Sequence, residues 1–280
     1  MRQYKEIGTL TAHDATCINS YTNKTTKINK LSKMKKQTLI ASAMFGLTAL
    51  VASAQISTNI GVTSNYVWRH MSYSGDGPAV SGGLDYAHDS GFYAGTWTSS
   101  MDDAGNTGSL DGQAEIDLYV GFGGDFSETT SYDVGIIRYD YTDATVIDAY
   151  FELYGSVTFS GLTVGAAYSF GSETDNTATG QEIFVDDDIY IYGSYTMDMA
   201  KYLGEGFSLT GTIGQYFFED DGVGGVGIDY THYTFDLAKD VGDFGTITLT
   251  GSFVSGDFGN VGFNGGDNEG RFFVSWGKEF

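Results

Sequence analysis

Four acidic side chains stand on segments that otherwise alternate apolar and polar residues: Glu115 and Asp117 within 112–123, and Asp148 and Glu152 within 147–159. Two basic ones, Arg69 and Arg271, fall near the loop ends of the first and last such segments. Residues two apart on a strand share a face. If that face lines a lumen, the four carboxylates form an acidic wall. Closing the sheet makes the first and last segments neighbours, which brings the two arginines together as a basic patch opposite. Charged rings of this kind set the ion preference of a pore. The same residues permit a second arrangement, in which they pair with one another and plug a narrow barrel. Twelve strands leave room for either outcome.

Other chemistry is weakly represented. His70, His88 and His232 show no H-x-H or H-E-x-x-H spacing, so they read as loop or turn residues and not as zinc ligands. No G-x-S-x-G elbow follows residue 54. Asp186-Asp187-Asp188 and Glu219-Asp220-Asp221 lack the spacing of a helix-loop-helix calcium site and read as solvated loop charge. Bridging of lipopolysaccharide through divalent cations is the alternative there. Gly222–Gly227 lacks the Lys-Ser/Thr of a phosphate loop. Trp68 and Trp97, with Tyr66 and Tyr93, read as anchors of a membrane-interface belt. The expectation is therefore no catalytic residue, no metal and no cofactor: not an enzyme.

What must position these residues is legible at both ends of the chain. Met34-Lys35-Lys36, an apolar stretch from Leu39 to Val51, and Ala52-Ser53-Ala54 form a secretory signal, with Gln55 as the first mature residue. The apolar stretch is too short to span a bilayer, which takes ~20 residues. Residues 1–33 carry no pattern and read as a mis-called start or leader. Without residues 1–54 the chain keeps 6 basic and 34 acidic residues, a net charge of −28, which excludes a nucleic-acid partner. Cys17 falls in the removed part, so neither disulfides nor thiol chemistry are expected after it.

The remainder, 55–280, reads as one all-β domain, with 40 Gly in the whole chain, one Pro, 20 Tyr and 19 Phe. Alternation with period two recurs in twelve segments: 56–70, 79–88, 91–101, 112–123, 131–141, 147–159, 162–171, 187–197, 206–218, 228–239, 245–256 and 270–280. Each is about the ~9–11 residues that cross a membrane as a tilted strand. Connections alternate between mostly short turns and longer acidic or Gly-rich loops, the arrangement of outer-membrane barrels with short periplasmic turns. The last segment ends on Phe280, with Phe272, Val274 and Trp276 on one face. Trp276 and Phe280 resemble the assembly signal of outer-membrane proteins. The fold expected is an antiparallel transmembrane β-barrel of about twelve strands, greasy outside and polar inside.

Ser64-Asn65-Tyr66-Val67-Trp68-Arg69, Pro78 to Tyr86, Ser90 to Trp97, Glu115 to Tyr119 and Ser275 to Phe280 together resemble the TorF family of bacterial porins, first described as of unknown function. His70 departs from a Gly frequent in that family. The resemblance implies residence in the cell outer membrane and a pore role, and it carries over no catalytic residues. The expected function is passive diffusion of small solutes, with cations favoured. The expected partners are outer-membrane lipid, lipopolysaccharide, the barrel-assembly machinery, and the solutes or ions themselves. A non-conducting surface barrel, binding ligands or divalent cations through its acidic loops, is the alternative.

Overall fold

The computed structural model describes residues 54–101, 112–144, 147–173, 184–219, 227–257 and 270–280. The signal segment and the 1–33 extension lie outside these residues, as do Asp220 and Asp221. Twelve strands form a closed antiparallel barrel in simple chain order. They are β1 (Ala54–Thr63), β4 (Ala79–His88), β5 (Phe92–Ser100), β6 (Ala114–Ser127), β7 (Thr130–Thr142), β8 (Tyr150–Phe159), β9 (Leu162–Phe170), β10 (Ile189–Asp198), β11 (Phe207–Phe217), β12 (Tyr230–Asp240), β13 (Thr246–Gly256) and β14 (Arg271–Glu279). β1 closes on β14 through Asn59–Thr63 and Glu279–Ser275. Among the described residues no helix is long and apolar enough to cross a membrane.

The period-two pattern sorts side chains as the sequence suggests. Leu118 on β6 and Leu153 on β8 are 52% and 47% exposed, whereas Glu115 and Asp117, just before Leu118 on β6, are 1% and 0% exposed. The exposed face is thus the apolar one, the reverse of a soluble sandwich. A closed sheet leaves no unpaired backbone edge, which is what lipid demands. Exposed aromatics ring both ends: Phe126, Phe159, Phe244 and Phe280 near the short turns, and Tyr168, Phe217 and Phe272 near the long loops. That is the girdle arrangement of membrane barrels.

Inside, large rings lie flat over glycines of the neighbouring strand. A Cβ on Gly165 would meet the Tyr192 ring at 2.5 Å, and one on Gly95 would meet Tyr119 at 2.5 Å. The glycine is what lets the ring lie against the wall rather than stand across the lumen.

The first segment departs from expectation. It does not run as one strand to residue 70. β1 ends at Thr63, and the chain turns into the barrel as a hairpin of β2 (Val67–Trp68) and β3 (Met71–Ser72). The two-residue turn is Arg69-His70, with φ of 46° and 75°. Two positive φ angles in a two-residue loop match the twist of the flanking strands, a position that Asn-Gly normally fills. For residues with a Cβ this strains the backbone by ~1–2 kcal/mol each. Burial of Trp68, Met71 and Tyr73, each worth roughly 1.5–3 kcal/mol, outweighs it.

Candidate solute pathway and its plug

The hairpin fills the half of the lumen nearest the long loops. Its fixing points reach strands all around the wall. Arg69 donates through both terminal nitrogens to the Glu152 carboxylate on β8, at 2.7 and 2.8 Å. Its guanidinium lies 4.0 Å from the ring centres of Trp68 and Tyr190. The Tyr230 hydroxyl on β12 donates to the Arg69 carbonyl at 2.7 Å. Tyr66 donates to Glu115 on β6 at 2.8 Å. His70 Nδ1 lies 2.8 Å from Ser252 Oγ on β13. Arg271 on β14 pairs with Asp76 at the base of the hairpin, where Asn65 also donates to Asp76 at 2.7 Å. A bidentate Arg–carboxylate pair fixes orientation as well as position.

A second element enters beside the hairpin. Phe184, from the loop before β10, is fully buried. It stacks on Tyr150 at 5.1 Å and packs against Trp68 at 5.6 Å. Its backbone is held by Asp188, which accepts from Val185 N at 3.2 Å and from Glu219 N at 2.9 Å. Burial raises the Asp188 carboxyl to about 7 against the backbone N–H donors that lower it. Tyr139, Tyr190, Tyr216 and Tyr230 complete an aromatic packing around the hairpin.

The half nearest the short turns is different. Tyr119 on β6 donates to Asp85 on β4, and Asn59 donates to the same carboxylate at 3.3 Å. Tyr93 donates to Asp133 at 2.6 Å, and its oxygen lies 2.6 Å from the Tyr154 hydroxyl. Thr250 donates to Asp236 at 2.6 Å. The remaining inward side chains of β10 to β13 here are mostly Ser and Thr.

Five of the six charged residues expected inside are there. Arg69, Glu115, Asp117, Glu152 and Arg271 are buried within the barrel. Of the two arrangements open in the sequence, the ion-paired plug describes Arg69 and Glu152. Asp148 is a correction: it is exposed and precedes β8, between the buried Ile147 and Ala149. The segment 147–149 has not yet joined the sheet, so strand parity does not apply to it.

The belt reading of the aromatics also fails. Tyr66, Trp68 and Tyr93 are buried in the lumen, and Trp97 packs against them. His70 is a turn residue, as expected, but a buried one, and His232 is no loop residue: it lies buried on β12, with Nε2 2.8 Å from the Tyr190 hydroxyl. His88 ends β4 at the edge of the Asp89-Ser90 turn, with Nδ1 2.9 Å from the Ser90 hydroxyl. Asp186, Asp187 and Asp188 diverge to separate partners, Ser172 N, Tyr168 and the two backbone N–H groups above. Sequence reasoning missed Asp85, Asp133 and Asp236. Their signal was present, since each sits at an inward position of an alternating strand. Trp276 donates to the Phe244 carbonyl at 2.8 Å, and Phe280 is exposed at the barrel rim.

Residues 49–177 match the model of a family described as a bacterial protein of unknown function (Gcw_chp). No curated protein matches the chain in sequence. Among solved structures, a NanC porin is similar at a TM-score of 0.50 and 13% identity, covering 80% of this chain and 98% of that one. A KdgM porin solved in complex with disordered oligogalacturonate gives 0.47 at 7% identity, covering 81% and 98%. The outer membrane protein OpdK from Pseudomonas aeruginosa gives 0.39 at 12%, covering 73% and 58%. The closed twelve-strand antiparallel barrel is the fold this chain has in common with the NanC porin.

Proposed function

We propose that this chain is an outer-membrane, porin-like barrel for small solutes that favours cations and that is gated by its own hairpin. The short turns face the periplasm and the long loops face outward, following the usual order of such barrels. One observation carries the cation preference. Among the described residues both inward arginines have anionic partners, Glu152 and Asp76, while Asp85, Asp133 and Asp236 accept from neutral hydroxyl and amide groups. The lumen potential is therefore negative towards the periplasmic side. With the hairpin seated, the outer half is filled by aromatic side chains, so conduction requires the hairpin to move. Outer-membrane lipid, lipopolysaccharide and the assembly machinery are the partners that follow from this placement.

The test is planar-bilayer conductance of the purified barrel with reversal potential measured across a KCl gradient. The expected result is brief, cation-selective openings whose selectivity shrinks in Asp85→Asn/Asp133→Asn. Anion selectivity overturns the reading. The packed outer half favours a second reading, a non-conducting barrel. Absence of channel steps even after the hairpin is shortened decides for it.

A further inference from the structure

We infer that Asp236 forms a site for a monovalent cation, an alkali-metal ion or the ammonium group of a small solute, just beneath the hairpin; this rests on the reading of the barrel as a solute passage and names the station within it. Asp236 is 4% exposed, and its Oδ2 has no hydrogen-bond partner among the described residues. Its other oxygen accepts from Thr250. A buried carboxylate with an unpartnered oxygen is costly unless a positive charge or a proton joins it.

Its surroundings supply oxygen and no positive charge. Thr196, Thr210, Asp236 and Thr250 stand in register across β10 to β13. One step towards the long loops, Thr163, Ser194, Thr212, Thr234 and Ser252 form a parallel row. These inward hydroxyls on both rows present oxygen lone pairs to the lumen. Among the described residues both inward arginines are engaged elsewhere, Arg69 by Glu152 and Arg271 by Asp76, and Lys239 points to the Glu205 carbonyl at the rim. Among the described residues no three carboxylate, imidazole or thiol groups gather as a metal cluster. One carboxylate among neutral oxygens suits a singly charged ion better than a divalent one, which collects several carboxylates. The position matters too. His70, at the tip of the hairpin, touches Ser252, two residues along β13 from Thr250. A cation held at Asp236 would sit where the closed half of the lumen gives way to the polar half.

Thermal stability of the full barrel in detergent tests this without requiring conduction. Melting is followed at one pH and one ionic strength in chloride salts of sodium, potassium, methylammonium and tetraethylammonium, the last being too bulky and lacking N–H donors. A ligand that binds only the folded state raises the melting temperature with its concentration. The expected result is a rise in sodium, potassium or methylammonium over tetraethylammonium that is lost in Asp236→Asn. A rise with alkali metals alone identifies a metal-ion site; a rise with methylammonium alone identifies an ammonium site. Asparagine keeps an acceptor for Thr250, so the wall is preserved. If that variant does not assemble, Thr250→Val keeps the carboxylate and removes one hydroxyl, and a weakened cation effect is expected. The same melting curve in all four salts, or an unchanged cation effect in either variant, overturns the site. So does a stability that follows pH but not cation identity, because a proton then neutralises Asp236. Cation-specific melting without channel activity removes the passage and leaves the site. Cation-selective channels without cation-specific melting remove the site alone.

Discussion

A single inward or outward step decides what a residue of this barrel can be. Leu118→Arg or Leu153→Arg puts a charge into lipid, and a loss of ~2–4 kcal/mol is expected near the midplane. Glu115→Gln keeps an acceptor for Tyr66 and should be mild. Urea unfolding in lipid vesicles measures both, and tolerance of Leu118→Arg with loss of assembly in Glu115→Arg would invert the assignment. The Arg69–Glu152 pair is the sharper case. Glu152→Ala leaves a buried guanidinium without its counter-charge, for which ~3–5 kcal/mol is typical. The double replacement Arg69→Met/Glu152→Leu should recover most of that loss, because neither charge then remains buried. Such parity was readable from the sequence at Glu115, Leu118, Glu152 and Leu153. It was not readable for Trp68, Trp97, Tyr66 and Tyr93. A ring with a polar tip suits an interface belt and a packed lumen equally, and only the position of the hairpin separates them. The sequence likewise put Asp148 inside because alternation was extended three residues past the true start of β8.

At the scale of elements, eleven of the wall strands were legible to within a few residues, but the first was read seven residues past its end at Thr63, into the short hairpin that follows it. Its turn, Arg69-His70, contains neither Gly nor Asn, so nothing in residue type marks two left-handed positions. Tertiary contacts hold them there instead: Glu152, Tyr230 and Ser252. Replacing residues 66–73 by a short Gly-Ser link should leave the barrel assembled and raise single-channel conductance severalfold. An unchanged conductance would show that the hairpin is not what limits passage. The Phe184 loop carries a separate, pH-linked expectation. Asp188 sits at about 7 when folded, above the ordinary carboxylate value of 3.8. From about pH 4 to 7 the folded loop therefore holds a proton that the unfolded loop has lost. Its stability is fullest below that window and falls as pH rises through 7. Hydrogen exchange at the Val185 and Glu219 amides should quicken from pH 5 to 8 after correction for the intrinsic rate. Asp188→Asn should flatten that trend.

At the scale of the whole molecule, order along the chain equals order around the wall, with one exception where the ends meet. β1 shares ten paired positions with β4 but only five with β14. Thr58 and Phe280 add reciprocal backbone hydrogen bonds of 2.8 and 3.3 Å beyond that ladder. Loss of residues 272–280 should therefore abolish the compact, heat-modifiable form on unboiled gels and not merely lower its melting point. The reason lies in timing. Every other neighbour of a strand is made just before or just after it, whereas β1 waits for the final nine-residue strand. Until then the sheet is an open ribbon with two bare rims, neither of which lipid can solvate. A chain built this way has no half-inserted resting state: the seam is a clasp fastened last, and an unfinished copy is distinguishable from a finished one at a single place.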